Sequence, residues 1–471
     1  MSRIDAPVPA TLSKFLPVAM ASALFMDLLD TSALGSALPI MSREFHTEPL
    51  NLKLALTAYL MTMAILVPAS GWLADRFGAR RIFVNAVRVY VVGSLCCGLS
   101  NSVTQLVAAR VLQGIGGAMM TPVARLIVVA STPREHLVQA MNAFTMPAII
   151  GPLLGPPLAG LLLQVATWRW IFFINIPVGL LGIAAVLRIV PRLRHRHPGR
   201  FDGFGFVAAA VGIVAIMLVS ESFGSDLLTG QGRIIVALIA LAAWTMFVRH
   251  ALKVRTPMLD LRLLAKPTYR ASMLGGSFLR LGIGATPFLL PLLLQSGLGW
   301  SPIKAGAAMA VMPIGSLLAR FGGTYTIRSW GFRTAMIATG ALTAVLTAAP
   351  ALFDTHTSIA FIISMLLAVA FFRAAHYVAA TAIAFADVGA DELSKASTLS
   401  TVIQQVSMSF GISFAGLTLY VSGGAGNHFA ANQFVMPFVA LGVAALLAVP
   451  VYTRLDTQAG AHMRIGDKRH A

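Results

Sequence analysis

The chain has 471 residues, of which 57% are hydrophobic and 11% are charged, and its mean hydropathy is +0.80. Soluble domains carry about 25% charged residues, so this composition excludes a soluble globular protein and indicates a polytopic membrane protein. The formal net charge of +18 would suit nucleic-acid binding, unless the basic residues are sorted by side of a membrane.

Fourteen apolar segments are long enough to cross a bilayer, because a hydrocarbon core of about 30 Å needs roughly 20 helical residues. Short connections rich in Gly, Pro and Ser separate most of these segments and leave no room for a soluble domain. The predicted spans are 15–41, 51–73, 80–100, 102–130, 137–164, 170–190, 203–221, 233–250, 270–295, 303–326, 333–351, 357–385, 395–421 and 430–451.

Most of the 35 Lys and Arg residues fall on one side of the membrane, above all in the connections 188–200 and 249–270. Basic residues are retained in the cytoplasm, so this pattern predicts a multi-pass membrane protein with both termini cytoplasmic. The excess charge then contacts anionic headgroups of the lipid bilayer. Nucleic acid is not needed as a partner.

The two cysteines, Cys96 and Cys97, are adjacent within an apolar span. This spacing suits neither an ordinary structural disulfide nor a metal site. A nucleophile or metal constellation for a membrane enzyme is also missing from the sequence. We therefore predict a protein with no cofactor, no metal site and no catalytic residues.

The first span carries two carboxylates, Asp27 and Asp30, which a spacing of i and i+3 places on one helical face. An ionised Asp near the centre of such a helix costs about 2.5–3.5 kcal/mol on insertion scales. This face should therefore point towards protein or water. A structural, hydrogen-bonded pair would satisfy the pattern, but we favour a functional site because intramembrane acids usually mark one.

The connection after the second span contains Gly71, Asp75, Arg76, Gly78 and Arg80. Gly71 would allow close helix packing, Asp75 could meet a helix N-terminus, and Gly78 permits a tight turn. This pattern resembles the conserved loop of the major facilitator superfamily, which in that family latches two halves together and gates the cytoplasmic side. Ala79 stands where the family often has Arg, which leaves open how this loop relays charge.

The fourth span carries Arg110 and Gln113 on a shared face, followed by glycines that let a neighbouring helix approach. This matches the second motif of the same family. The resemblance implies that the Arg lines the central cavity, with Gln113, and takes part in proton coupling.

The fifth span contains Gly151, Pro152 and Gly155, which weaken the helix and permit bending. The string is similar to the antiporter motif of proton-driven exporters, with Pro156 in place of the second Gly.

The strings 168–179 and 29–31 resemble the fourteen-helix drug:proton antiporter branch of the superfamily, and most closely its MdtD-like group. The resemblance covers nearly the whole chain and implies an all-α, major-facilitator-type fold. Residues 1–190 would form one six-helix half, and residues 269–471 would form the other half with a short cytoplasmic tail. Residues 191–268 would hold a basic loop and two inserted helices. We expect a monomer.

Arg280, Arg373 and His376 lie deep in spans nine and twelve, which correspond to cavity-lining helices of the resembled fold. Together with Arg110, these two arginines would supply three positive charges. Asp27 and Asp30 would neutralise two of them and leave one positive charge for an anionic substrate. An alternative, in which Arg280 and Arg373 cap carbonyls or pair with Asp27, stays open. For His376 an interior hydrogen-bonded histidine is favoured over a proton carrier.

Together these patterns predict a proton-coupled antiporter that exports small molecules, either drugs or metabolites, by alternating access. Asp30 would exchange protons, assisted by Asp27 and Arg110. One alternative is an exporter of anionic metabolites such as carboxylates or their metal chelates. Facilitated or symport uptake is the weaker alternative, since the motif in span five argues against it.

Glu221, at the outer end of span seven, is expected to tip into the external interface.

Overall fold

The structure is a computed structural model that describes residues 15–132, 136–190, 199–222, 228–389, 392–423 and 429–459, apart from the side chains of 138, 147–149 and 320–328. Within these residues the regular structure is helical and no strand occurs. Part of the basic loop (191–198), the N-terminal segment 1–14 and the tail 460–471 lie outside the described residues.

The described residues contain 14 helices that are long and apolar enough to cross a membrane, which confirms the predicted number and order of spans. They are α1 (Leu16–Glu44), α2 (Pro49–Phe77), α3 (Ala79–Gly98), α4 (Val103–Ser131), α5 (Gln139–Val165), α6 (Trp170–Ile189), α7 (Gly203–Ser222), α8 (Gly230–Lys253), α9 (Pro267–Gly297), α10 (Pro302–Ala319), α11 (Ser329–Leu352), α12 (Ile359–Ala384), α13 (Leu393–Val421) and α14 (Ala431–Thr453).

Successive helices cross in opposite directions, so the chain has two membrane faces. The Gly78 face holds the start of α1 and the α2–α3 turn, and the Trp168 face holds the α5–α6 connection. Four helices that begin on the Trp168 face have a side chain that accepts a hydrogen bond from a backbone N–H of the first turn. These N-caps are Ser102, Thr229, Ser301 and Ser358. Such caps satisfy amide groups that the helix itself leaves unpaired.

Helix α5 keeps helical backbone angles at Met146, and Pro147–Val165 continues as one helix through Pro152. The bending that Gly151 and Pro152 would permit stays a prediction. The glycines of this motif serve helix packing in the structure. A Cβ atom at Gly155 would lie 1.9 Å from Ser32 Oγ, and one at Gly151 would lie 3.1 Å from Leu28 Cβ, so both bring α5 against α1.

Two groups of helices pack mainly within themselves. In the first group α1 contacts α5 and α6, and α4 contacts α2 and α3; in the second, α9 contacts α13, and α11 contacts α14. Across the groups α1 contacts α9, α2 contacts α13, and α5 contacts α10. The exact domain boundaries, 1–190, 191–268 and 269–471, stay a prediction.

Close contacts between the two groups lie towards the Trp168 face. The side-chain amide of Gln295 on α9 donates to the carbonyl of Ser36 on α1 at 2.9 Å. A Cβ atom at Gly160 on α5 would lie 2.8 Å from the Cα atom of Ile303 on α10, and one at Gly35 would lie 1.9 Å from the carbonyl oxygen of Pro287. The helices therefore meet closely on this side of the membrane.

The inserted helices α7 and α8 pack against each other, and α7 also lies against α2 and α13. At the Gly78 face, Asp202 accepts hydrogen bonds from the backbone N–H groups of Gly205 and Met258 and contacts His250 Nε2 at 2.7 Å. Burial raises the pKa of Asp202, but these hydrogen bonds outweigh burial and hold its pKa below the usual value.

At the other end of α7, the prediction for Glu221 was wrong. Its side chain is 1% exposed and forms an ion pair with Lys53 of α2 at 3.4 Å. The side chain does not tip outward because α7 ends against the seam between α2 and α13, where a buried cation faces it.

Candidate functional site

Asp30 of α1 and Arg110 of α4 form an ion pair whose side chains are both 0% exposed. Arg110 Nη1 donates to Asp30 Oδ2 and to Gln113 Oε1, the latter at 2.6 Å. Its Nε donates to the carbonyl of Ala55 on α2 at 3.1 Å. A buried charge is costly unless it is paired and hydrogen-bonded. These bonds therefore allow Arg110 to remain charged inside the helix bundle and tie α1, α2 and α4 together.

The second oxygen of Asp30 is held by amides. Oδ1 accepts hydrogen bonds from Gln113 Nε2 and from Asn175 Nδ2 of α6, both at 3.2 Å. Both amides also donate to Ser94 Oγ of α3, at 2.8 and 3.4 Å. Side chains or backbone of five helices thus meet in one hydrogen-bond network, in which Asp30 is hydrogen-bonded at both of its oxygens.

Asp27 lies one turn before Asp30 and has a different partner. Its Oδ1 accepts a hydrogen bond from the Tyr59 hydroxyl of α2 at 2.5 Å. The guanidinium carbon of Arg110 lies 4.2 Å from the centre of the same tyrosine ring, in cation–π contact. Tyr59 therefore links the two acids of the first span through Arg110.

The glycines after Gln113 make this convergence possible, as the sequence predicted. A Cβ atom at Gly117 would lie 2.6 Å from Tyr59 Oη, and one at Gly116 would lie 2.5 Å from the backbone nitrogen of Tyr90 on α3. Larger residues would push α2 and α3 away from α4, and Tyr59 would no longer lie over Arg110.

The structure does not bring Arg280 and Arg373 to this network. Arg373 Nη1 donates to Thr286 Oγ1 of α9 at 3.2 Å, beside a small cavity bounded by Gly282, Thr347 and Leu441 within the second helix group. A separate small cavity between the two groups is bounded by Arg110 and Tyr59.

Arg280 is 5% exposed. A Cβ atom at Gly276, one turn earlier, would lie 2.8 Å from Arg280 Nη1, so the guanidinium folds back over its own helix. Arg280 Nε and Nη1, and Arg373 Nε, have no hydrogen-bond partner among the described residues. Within that part of the chain, neither arginine forms an ion pair with Asp27.

His376 occupies a hydrogen-bonded interior position. Its Nε2 lies 3.0 Å from the Tyr452 hydroxyl and its Nδ1 lies 3.2 Å from Thr339 Oγ1. The side chain is buried. This geometry fits the structural interpretation that the sequence favoured, and it places His376 within the second helix group.

The α2–α3 turn is built as predicted at Gly78, whose φ of 91° favours glycine. Arg80 Nη2 donates to the carbonyl of Leu187 on α6 at 2.6 Å. The packing expected at Gly71 is not seen, because a Cβ atom there would meet nothing within 4 Å. Asp75 and Arg76 form no hydrogen bond or ion pair with the described residues. The turn thus contacts its own helix group in this arrangement.

Sequence reasoning missed Tyr59, Ser94 and Asn175, and it missed Lys53 at the α2–α7 seam. Each is a polar side chain within an apolar span, which was the available signal. Within the described residues no group of three or more His, Cys, Asp or Glu side chains could hold a metal ion.

Replacing Arg110 with Met should destabilise the protein, because Asp30 would remain buried without its cation. Removing one partner of a buried pair typically costs about 3–5 kcal/mol. The thermal melting midpoint of the purified protein in detergent measures this. The double variant Asp30→Asn/Arg110→Met is the control, and it should recover much of the loss. Equal melting of the wild type and Arg110→Met would contradict the pairing.

Known proteins share this sequence and fold. Residues 20–252 match the model of the Major Facilitator Superfamily. Two proteins named "Putative multidrug resistance protein MdtD" are similar over nearly their full length. The one from Salmonella heidelberg is 35% identical, with 95% of this chain and 96% of the relative covered. The one from Escherichia coli strain SE11 is 34% identical, with 94% and 95% covered.

Solved structures agree in fold. A bacterial homologue of the human lysosomal transporter Spinster, in an inward-facing and unoccupied conformation, aligns with a TM-score of 0.64 at 17% identity, covering 96% of this chain and 98% of that one. A peptide transporter POT in complex with sulfate aligns with a TM-score of 0.70 at 12% identity, covering 95% of both chains. The chain is a membrane transporter, not an enzyme, and belongs to the Major Facilitator Superfamily.

Proposed function

We propose that this protein is a proton-coupled efflux antiporter of the bacterial inner membrane, which exports small molecules by alternating access as a monomer. The observation that carries the proposal is the fully buried Asp30–Arg110 pair at the point where five helices converge. Ionisable groups inside a membrane mark ion and substrate pathways. The printed name of the relatives, a multidrug resistance protein, supports an exporter.

The packing supports an arrangement that is closed at the external face in this proposal. With the N-terminus in the cytoplasm, the Gly78 face is cytoplasmic and the Trp168 face is external. The close contacts between helix groups then lie on the external side, at Gly35 and Pro287 and at Gly160 and Ile303. The turn at Gly78 would engage the second helix group only after the two groups rock to the outward-open state.

Helix α1 is where coupling would occur. It is tied to α4 by the Asp30–Arg110 pair and touches α9 of the other group at Gly35. Opening the Trp168 face must break the contact with α9, and the resulting movement of α1 would shift Asp30 relative to Arg110. Without its cation a buried carboxylate is costly, and uptake of a proton would remove that charge.

The amides around Asp30 suit both protonation states. Gln113 and Asn175 donate to the ionised carboxylate, and their carbonyl oxygens could accept the proton of the neutral acid after a rotation. Moving one charge across 100 mV is worth about 2.3 kcal/mol. Proton entry driven by the membrane potential alone can therefore support a substantial concentration gradient of the exported substrate.

Replacing Asp30 with Asn should abolish proton-driven export, because the amide cannot exchange a proton. The variant keeps the shape of the side chain but leaves Arg110 without its anion, which should also lower stability. Transport is therefore normalised to the amount of protein in the membrane. Transport into vesicles with imposed pH gradients of both signs, using a fluorescent lipophilic cation as the substrate, measures the coupling. Asp27→Asn is the matched control and should have a milder effect, since Asp27 contacts Tyr59 rather than Arg110.

Normal gradient-driven export by well-expressed Asp30→Asn would contradict this assignment. Equal transport under gradients of both signs in the wild type would instead favour a facilitator of the same fold, and a reversed dependence would favour an uptake symporter.

A second candidate function is export of anionic metabolites, such as carboxylates or their metal chelates. Arg280 and Arg373 favour it, because both are largely enclosed and retain guanidinium nitrogens without a hydrogen-bond partner among the described residues. The planar guanidinium group matches a carboxylate through paired hydrogen bonds. These two arginines supply positive charge that no neighbouring acid among the described residues neutralises through an ion pair.

If anions are the cargo, di- and tricarboxylates should stabilise the purified protein more than lipophilic cations do. The measurement is a thermal-shift screen of the wild type, Arg280→Ala and Arg373→Ala. Carboxylate stabilisation should fall by several-fold in both variants. Stabilisation by cations alone, unchanged in the two variants, would exclude the anion hypothesis and leave drug export as the function.

A further inference from the structure

A second buried ion pair lies far from Asp30, where the inserted helix α7 ends. Lys53 Nζ of α2 lies 3.4 Å from Glu221 Oε2, with side-chain exposures of 4% and 1%. The other carboxylate oxygen, Oε1, accepts a hydrogen bond from Ser413 of α13 at 2.6 Å. One carboxylate thus joins three helices: α2 from the first group, α13 from the second, and α7 from the inserted pair.

The backbone of α13 is shaped to receive Lys53. A Cβ atom at Gly416 would lie 2.7 Å from Lys53 Cδ and 3.0 Å from its Nζ. Gly416 and Ser413 share one face of α13, because they are three residues apart. The lysine stem therefore lies across α13 at Gly416, and its ammonium group reaches Glu221. A side chain at position 416 would displace the lysine.

The position of this cluster matters for alternating access. Lys53 lies one turn from the start of α2, and Glu221 is the second-last residue of α7, so both belong to the Trp168 side. This is the side on which the two helix groups meet closely. Separating α2 from α13 there must pull Lys53 off Gly416 or break the bond between Ser413 and Glu221.

We propose that Lys53, Glu221 and Ser413 form a polar lock that holds the Trp168 face closed, which makes the inserted helix α7 a working part of the external gate. The proposal rests on the alternating access of the proposed function. Glu221 and Lys53 act as positioning residues. They set the balance between open and closed states and contact neither the substrate nor Asp30.

The energetics favour a lock over a passive contact. While the pair is intact, the attraction of Lys53 and the hydrogen bond from Ser413 offset the free energy that burial costs the Glu221 carboxylate. When Glu221 is neutralised, Lys53 stays enclosed as an unpaired cation. Opening the Trp168 face to water would relieve that cost, so the open state should gain population.

Distances between spin labels on the Trp168 face test this directly. Thr104→Cys at the start of α4 and Thr355→Cys in the α11–α12 connection are exposed positions in different helix groups. The background carries Cys96→Ala and Cys97→Ala. In the absence of substrate and of a pH gradient, Glu221→Gln should raise the ratio of long to short distances by about tenfold or more.

Asp202→Asn is the matched control. It removes a carboxylate at the opposite end of the same helix, where the contact with His250 lies inside the inserted pair. The distance distribution should remain that of the wild type. Gly416→Ala should shift the distribution in the same direction as Glu221→Gln, since it displaces Lys53 without changing any charge.

The double variant Lys53→Glu/Glu221→Lys keeps an ion pair with its charges exchanged. It should therefore restore most of the closed population seen in the wild type. Unchanged distances in well-folded Glu221→Gln and Gly416→Ala would overturn the lock, as would an equal shift in Asp202→Asn. The spin-label distances measure opening of the Trp168 face and require neither substrate transport nor a proton gradient. A lock that is confirmed while Asp30→Asn exports normally would therefore separate this inference from the proposed coupling mechanism.

Discussion

The burial of a guanidinium group in an apolar helix bundle is the constraint on which the first helix group depends. Arg110 stays charged, so its neighbours must supply an anion and hydrogen-bond acceptors. Asp30 supplies the anion, Ala55 supplies a backbone carbonyl, and Gln113 supplies an amide oxygen. Glycines on α4 let α2 and α3 come close enough for these contacts. The packing of four helices thus follows from satisfying one side chain and its acid.

The second helix group handles its buried cations differently. Within the described residues, Arg280 and Arg373 form no ion pair with an acid, and Arg373 donates a hydrogen bond to Thr286. Unbonded guanidinium nitrogens occur in both groups, because Arg110 Nη2 also lacks a partner there. The asymmetry between the groups separates two tasks in our proposal. The ion-paired arginine of the first group would handle the proton, and the arginines of the second group, which lack an acid partner among the described residues, are suited to cargo. Lys53 and Glu221 add a third element at the seam between the groups.

Much of the fold could be predicted, because apolar length and the sorting of basic residues are direct consequences of the bilayer. The contact between Asp30 and Arg110 was also foreseeable, since each needs an opposite charge. The partners Tyr59 and Asn175 were not, because helical periodicity cannot tell which neighbour a polar side chain will face. Glu221 was misplaced for the same reason: its partner Lys53 lies 168 positions earlier on another helix.

The most direct test of the account asks which carboxyl takes up the proton. Infrared difference spectra of the purified protein, recorded between low and high pH, report the protonated carboxyl band of a buried acid. We expect a band that disappears in Asp30→Asn and persists in Asp27→Asn. A band that is unchanged in Asp30→Asn and lost in Asp27→Asn would contradict the assignment of proton coupling to the Asp30–Arg110 pair.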